Sequence, residues 1–444
     1  MKFPSFFNRR REREQAFVRH SDRLLRSFEA LLARSRNSRF ILDHSIGRLA
    51  SDAPKKLPSI AVATCLPPAA TGISTASIIT FREAPIGVDA FTCYDTAADY
   101  FAGISDLRIR GGNMRIFDLA CMPLAVGEMR YSAQIFVVGN SDHNLPIVAA
   151  LRQTRMFPPH APIWVYIHDP GLLNIFQRWC ESVGLDFPAA VFACYGKPVS
   201  ELYHTGAFGM RALLQDVPIA GIIVNSQAAR EIALREMPDA NVQVLFHPVV
   251  DVGRSVRSGA DAGPLRIGTF GVSNAAKRTE IVVEAFELLK QQYDPAARLV
   301  IAGFDAADYA RRQGLQPADG YEVFDAPGDD VLHDLMAGVD VAIQLRDRNF
   351  GESSGVIARL LTIGTPTVVS GVGAFGEYGD AVALLEPKAG ASKLAELIRV
   401  ERLAAPSRAA AMAAYCQEHS PAKFCARLMN VLGVQPVEAF RALR

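Results

Sequence analysis

Short apolar runs that end in small or polar residues alternate, over most of the chain, with stretches whose apolar positions recur at helical spacing. A first series holds "SIAVATC" (59–65), "QIFVVGN" (134–140), "IWVYIHD" (163–169) and "GIIVNS" (221–226). A second holds "LRIGTFG" (265–271), "ARLVIAGF" (297–304), "YEVFDA" (321–326), "VDVAIQL" (339–345) and "PTVVSG" (366–371). Strands that are apolar on both faces belong inside a parallel sheet, and helical stretches such as "RTEIVVEAFELLK" supply the crossovers. Between the series, "DVGRSVRSGADAGP" (251–264) is polar, contains Gly and Ser and is closed by proline, so it reads as a linker. The pattern predicts an α/β molecule of two Rossmann-like, doubly wound domains facing each other across a cleft, with ligands at the carboxyl ends of the strands. The expected boundaries are 58–251 for the first domain, 252–264 for the linker, 265–420 for the second domain and 421–444 for a closing helix.

Residues 1–57 break the alternation. Phe17, Leu24, Leu25, Phe28, Leu31 and Leu32 recur near helical spacing among many arginines, which predicts a basic helical extension. Such a helix suits either an anionic membrane surface or docking on the body of the protein or a partner subunit.

Composition narrows the class. A chain of 444 residues exceeds one ordinary core and calls for two domains. Half the residues are hydrophobic (50%) and 21% are charged, as in a folded globular protein. A net charge of +1 provides no global field for nucleic acid. The 7 cysteines are scattered, with no C-x-x-C pair, so free thiols in a reducing compartment are expected and a metal site is not. No apolar run reaches the roughly 18 residues of a membrane span, and "MKFPSFFNRRREREQ" has charge where a signal peptide needs its apolar centre. A cytoplasmic location is expected, peripheral on the inner face of the membrane if the basic helix binds lipid.

Strand ends carry the candidate chemistry. In "CLPPAATGIS", Gly72 allows close backbone approach as a helix begins. In "GNSDHN" and "YIHDPG", Asn140, His143, His168 and Asp169 project from neighbouring strand ends, either as helix caps and half-buried side chains or as partners for sugar hydroxyls and protons. After "RIGTFG", Lys277 and Arg278 open a helix, where cations oppose the macrodipole; a bound anion would offset that cost. In "NFGESSGVIARLLTIGTP", Ser353 or Ser354 caps a helix that Gly364 and Pro366 end. Glu352 and Gly355 remain over, and a turn of exposed amides beside a carboxylate suits a ligand with both phosphate and hydroxyl parts.

In their order along the chain, "LPPAATGIS", "GNSDHN", "YIHDP", "IIVNSQAAREI", "VLFHPVVD", "GTFGVSNAAKRTEIVVEAF" and "GESSGVIARLLTIGTPTVVSGVGAFGE" give the chain, from about residue 58 onward, a resemblance to a known family. It resembles the family 4 retaining glycosyltransferases of GT-B fold, in the subset with a Gly-Glu-Ser/Thr-Ser-Gly motif. The resemblance implies metal-independent, cofactor-free transfer of a hexosyl-type sugar from a nucleotide-sugar donor to a glycan, lipid-linked or other glycoconjugate acceptor in surface polysaccharide biosynthesis. It implies that Lys277 neutralises the departing diphosphate with the amides of Ser353, Ser354 and Gly355, and that Glu352 holds the donor sugar. Gly72, Gly271, Asn274, Arg278 and Arg359 would complete the donor site. His168 and Asp169 would face the reaction centre, and Asn140 and His143 the acceptor side. The final helix would cross back onto the first domain. Two departures stand out. The family's paired glutamates, eight residues apart, fall on Gly351 and Arg359, with Glu352 one place late. The arginine that many relatives carry before the lysine is also missing. A non-catalytic scaffold subunit, and an epimerase on the same architecture, are the alternatives.

Overall fold

The computed structural model describes residues 39–49, 59–69, 71–82, 84–106, 113–128, 131–156, 161–205, 208–256 and 263–434. Two parallel sheets organise them. The first comprises β1 (Ser59–Ala63), β2 (Gly87–Thr92), β3 (Met114–Asp118), β4 (Ala133–Val138), β5 (Ile163–Ile167), β6 (Ile219–Val224) and β7 (Val242–Val244), in the order β3-β2-β1-β4-β5-β6-β7. The second comprises β8 (Arg266–Phe270), β9 (Arg298–Gly303), β10 (Tyr321–Asp325), β11 (Val341–Gln344), β12 (Thr367–Ser370) and β13 (Ala383–Leu385), in the order β10-β9-β8-β11-β12-β13.

Each apolar run named above contains a strand; β2, β3, β7 and β13 were not anticipated. In β2, Asp89 interrupts the run. Its carboxylate is buried, accepting from Arg115 Nε and Nη2 at 2.7 Å each and from the Tyr131 hydroxyl at 2.8 Å. Pairing makes a buried charge tolerable, and the pattern of one strand cannot show its partner on the next. β7 and β13 are sheet-edge strands too short to show a pattern.

In each sheet the strand order reverses beside its first strand, between β1 and β4 and between β8 and β11. Crevices at such reversals take ligands. Helices cover both faces, with Phe91, Phe117 and Phe136 in one apolar cluster of the first sheet and Phe286, Leu289 and Ile301 in the second.

Two segments outside the alternation are structurally informative. The helix Pro421–Leu432 returns to the first sheet, placing Phe424, Cys425, Leu428 and Met429 in one cluster with Ile60, Val62, Ile78 and Phe81. Residues 39–49 are helical and dock on the first domain, with Ile41 buried and the Ser45 hydroxyl accepting from Asp118 N at 3.1 Å. The apolar positions Phe17 to Leu32 of the basic extension lie outside the described residues. So does the middle of the expected linker, at 257–262; its first part runs along the second domain, where Val256 N donates to Ile363 O at 2.9 Å. Among the described residues no helix is long and apolar enough to cross a membrane.

Candidate functional site

The strand ends of the two sheets meet in a cleft. From the second domain, β8 leaves through Gly271, whose φ of 105° favours glycine. Lys277 Nζ lies over this turn, 3.6 Å from where a Cβ would stand. Asn274 shapes the loop by accepting from Lys277 N at 3.1 Å, which caps the short 3-10 turn Ala275–Lys277. Burial, and then the Arg346 charge, push the Lys277 ammonium down to about 7, while Glu352 pulls it back up.

The helix Gly355–Ile363 points its amino terminus at the same place. Ser354, rather than Ser353, is its cap: its hydroxyl accepts from Ile357 N at 3.3 Å, and Gly364 at φ 86° ends the helix. The amides of Gly355 and Val356 have no acceptor within the helix and remain available for an anion. Ahead of them the turn is locked. Asn349 Oδ1 accepts from Gly351 N and Ala374 N at 2.8 Å each, and Glu352 Oε2 accepts from Phe350 N at 2.7 Å.

From the first domain, β5 ends in His168 and Asp169. Asn225, at the end of β6, accepts from the Tyr166 hydroxyl at 2.7 Å and donates Nδ2 to His168 Nδ1 at 3.2 Å. The ring proton therefore sits on Nε2, which is closed to solvent and has no hydrogen-bond partner among the described residues. Burial, and then His247 with its ring centroid 6.1 Å away, push this imidazole down to about 3. His168 is thus a neutral donor at physiological pH, unsuited to act as a proton reservoir. Asp169 accepts from Gly171 N at 2.9 Å. Burial raises its carboxyl to about 6; the Gly171 bond and Arg346 oppose that shift, and Glu352 adds to it.

Lys277, Glu352 and Asp169 are therefore brought together, with His168 beside them. Arg346, which sequence reasoning missed, belongs to the same group, and its charge acts on both Lys277 and Asp169. It stands just beyond β11, directly after the apolar run "VDVAIQL" and shortly before the Gly-Glu-Ser-Ser-Gly motif. That position was the available signal. Among the described residues neither Lys277 nor Arg346 closes a salt bridge.

Other candidates have structural work. Asn140 Oδ1 accepts from Ile175 N at 3.0 Å, at the start of the helix Leu173–Ser182. Arg278 donates to the carbonyls of Pro387 at 2.9 Å and Ala389 at 2.6 Å. His143 is exposed, in the turn Asp142–Asn144. Gly72 opens the helix Gly72–Phe81, capped by Thr71, and a Cβ there would meet nothing within 4 Å. Arg359 folds back along its helix, with Nη1 3.8 Å from the Cβ position of Gly355, and its charge acts on His247 and His333.

The halves touch directly. Ser226 Oγ donates to Gly351 O at 2.7 Å, and the Phe208 and Phe350 rings stand 4.7 Å apart. A Cβ on Gly351, at φ 102°, would come 2.4 Å from Ala229 N, so only glycine permits this approach. The Glu377 carboxylate accepts from Gln227 N and Ala228 N, both at 2.8 Å, at the start of the helix Gln227–Glu236. A narrow recess lies in this seam, lined by Asn225, His247, Ser353, Glu377 and Tyr378 among others.

No protein-family model matches the chain, and no curated protein matches it. Its architecture is similar to that of solved structures. The HepE protein Alr3699 of Anabaena in complex with UDP shares 16% identity at a TM-score of 0.58, over 85% of this chain and 99% of that one. Sucrose-phosphate synthase tll1590 from Thermosynechococcus elongatus shares 15% at 0.58, over 84% and 98%. The UDP-forming α,α-trehalose-phosphate synthase from Burkholderia xenovorans, in complex with glucose-6-phosphate, shares 13% at 0.53, over 85% and 100%. The fold is GT-B. At these identities the likeness establishes architecture alone.

Proposed function

We propose that the protein is a retaining glycosyltransferase that moves a sugar from a nucleotide-sugar donor to a hydroxyl of a glycan or lipid-linked acceptor in surface polysaccharide biosynthesis. The observation that carries this reading is the Lys277 ammonium. It is half-buried without an ion-pair partner among the described residues, and it lies at the switch point of the second sheet, where the Gly355–Ile363 helix also points its amino terminus. HepE, of the same fold, has been solved with UDP and with UDP-glucose.

In this reading the bond from the anomeric carbon to the diphosphate breaks, and negative charge collects on the departing phosphate oxygens. The Lys277 ammonium and the amides of Gly355 and Val356 oppose that charge, and fixed donors of this kind supply a large share of such catalysis. Protein cations do this without a metal ion. Glu352 accepts from donor sugar hydroxyls. Asp169, ionised above pH 6, is placed for the acceptor side.

Transfer and donor hydrolysis measured over a panel of nucleotide sugars test the reading. Lys277→Ala is expected to lower kcat by about two to three orders of magnitude. Glu352→Ala is expected to impair transfer as well. Transfer indifferent to both substitutions would sink the site. Nucleotide binding without transfer, in the presence of a suitable acceptor, would favour the scaffold alternative.

A further inference from the structure

We infer that Arg346 is the second phosphate-binding cation of the cleft, bracketing the donor diphosphate with Lys277 and distinguishing a nucleoside diphosphate from a monophosphate. The ligand's identity rests on the glycosyl-transfer reading; the residue's role rests on geometry. β11 runs beside β8 with Val341 opposite Ile267 and Ile343 opposite Thr269. Continued by two residues, this register brings Leu345 level with Gly271, so Arg346 leaves the sheet beside the turn that Lys277 overlies. A tether holds it there: Asp347 N donates to Ala276 O at 3.0 Å, joining the segment after Arg346 to the turn that carries Lys277. Arg346 N donates to Ser370 Oγ at 2.9 Å, and the guanidinium carbon stands 5.9 Å from the centroid of the Phe375 ring.

The side chain lacks what an arginine in this setting ordinarily has. Its Nε is closed to solvent with no acceptor among the described residues, and no carboxylate there closes a salt bridge with it. A cation sheltered in this way is normally paired. Glu352 and Asp169 are near enough to act on its charge, yet each has an oxygen bonded to a backbone amide, at Phe350 and Gly171. Two adjacent cations, neither closed in a salt bridge, suit an anion of two charges, and the planar guanidinium fork matches phosphate oxygens. Arg346 thus supplies, from another strand, the arginine missing ahead of Lys277. Arg278, committed to the carbonyls of Pro387 and Ala389, cannot.

The test compares UDP, ADP, GDP and dTDP with their monophosphates by calorimetry, on the wild type, Arg346→Met and Arg346→Lys, with folding checked by thermal melting. For the base that the wild type binds, Arg346→Met should weaken the diphosphate by about tenfold to a hundredfold and the monophosphate only slightly. Arg346→Lys should lose several-fold on the diphosphate alone, and it decides the matter if the methionine variant does not fold. Equal weakening of both nucleotides, or of neither, overturns the assignment of Arg346 and leaves glycosyl transfer standing. A wild type that binds none of the diphosphates overturns the functional reading itself.

Discussion

Lys277 stands close to its own midpoint at neutral pH, because burial and then the Arg346 charge lower its pKa to about 7 against the pull of Glu352. Only the ammonium attracts a diphosphate, so binding should hold steady below pH 6 and weaken as the pH rises through 7. Where the charged form alone binds, the limiting loss is about tenfold per pH unit. An intact nucleotide sugar is the proper probe, since its diphosphate diester does not titrate in this range. Calorimetry in buffers of differing ionisation enthalpy should show proton uptake on binding near pH 7, and Lys277→Arg should abolish both effects. Binding that is flat from pH 6 to 8.5 would show that Lys277 is not a ligand contact or stays charged throughout. At this scale the sequence indicated which types of residue gather and missed what each is attached to. Asn140 and Arg278 look as available as Lys277 along the chain, but one caps a helix and the other serves two carbonyls. Those partners lie 35 and more than a hundred positions away.

Among the elements, the helix Pro421–Leu432 has the clearest energetic consequence. It follows the second domain in sequence but completes the core of the first, where Leu428 is 1% exposed. Leu428→Ala should cost about 2–5 kcal/mol, the range for emptying a buried leucine site. Hydrogen exchange or domain-resolved melting should assign the loss to the first sheet, with the second unaffected. Loss confined to the second sheet would contradict the packing described. Periodicity alone could expect an amphipathic helix here but not its destination; that came from the family resemblance. The strands show the same division. Runs such as "VDVAIQL" declare themselves because both faces are apolar, whereas β2 hides behind Asp89, whose hydrogen-bond donors sit on β3 and at Tyr131. The capping serine was open between Ser353 and Ser354 because both can reach an amide two or three positions ahead, and backbone geometry decides between them.

For the whole molecule, two alternating series separated by a polar linker were enough to predict facing domains, since each apolar strand set must find its own cover of helices. How the halves engage was not legible, because each of their contacts joins residues far apart in sequence. Glu377 is the most direct: one carboxylate holds two amides at the start of an opposing helix. Glu377→Ala should shift the balance toward an open form by about 1–3 kcal/mol. Small-angle scattering should then show a larger radius of gyration, and nucleotide-sugar affinity should fall with little change in the melting of either half. Unchanged scattering and affinity would mean that Ser226 and the Phe208–Phe350 contact suffice. The path of the chain adds a mechanical consequence. Among the described residues it passes between the halves after Val249 and again near His419, and Val249 N donates to His419 O at 2.8 Å, clipping the two passages together. If the halves rotate on one another, these clipped passages form the pivot. Displacement then grows with distance from it, and a ligand gripped at the far lips works with the longest lever arm.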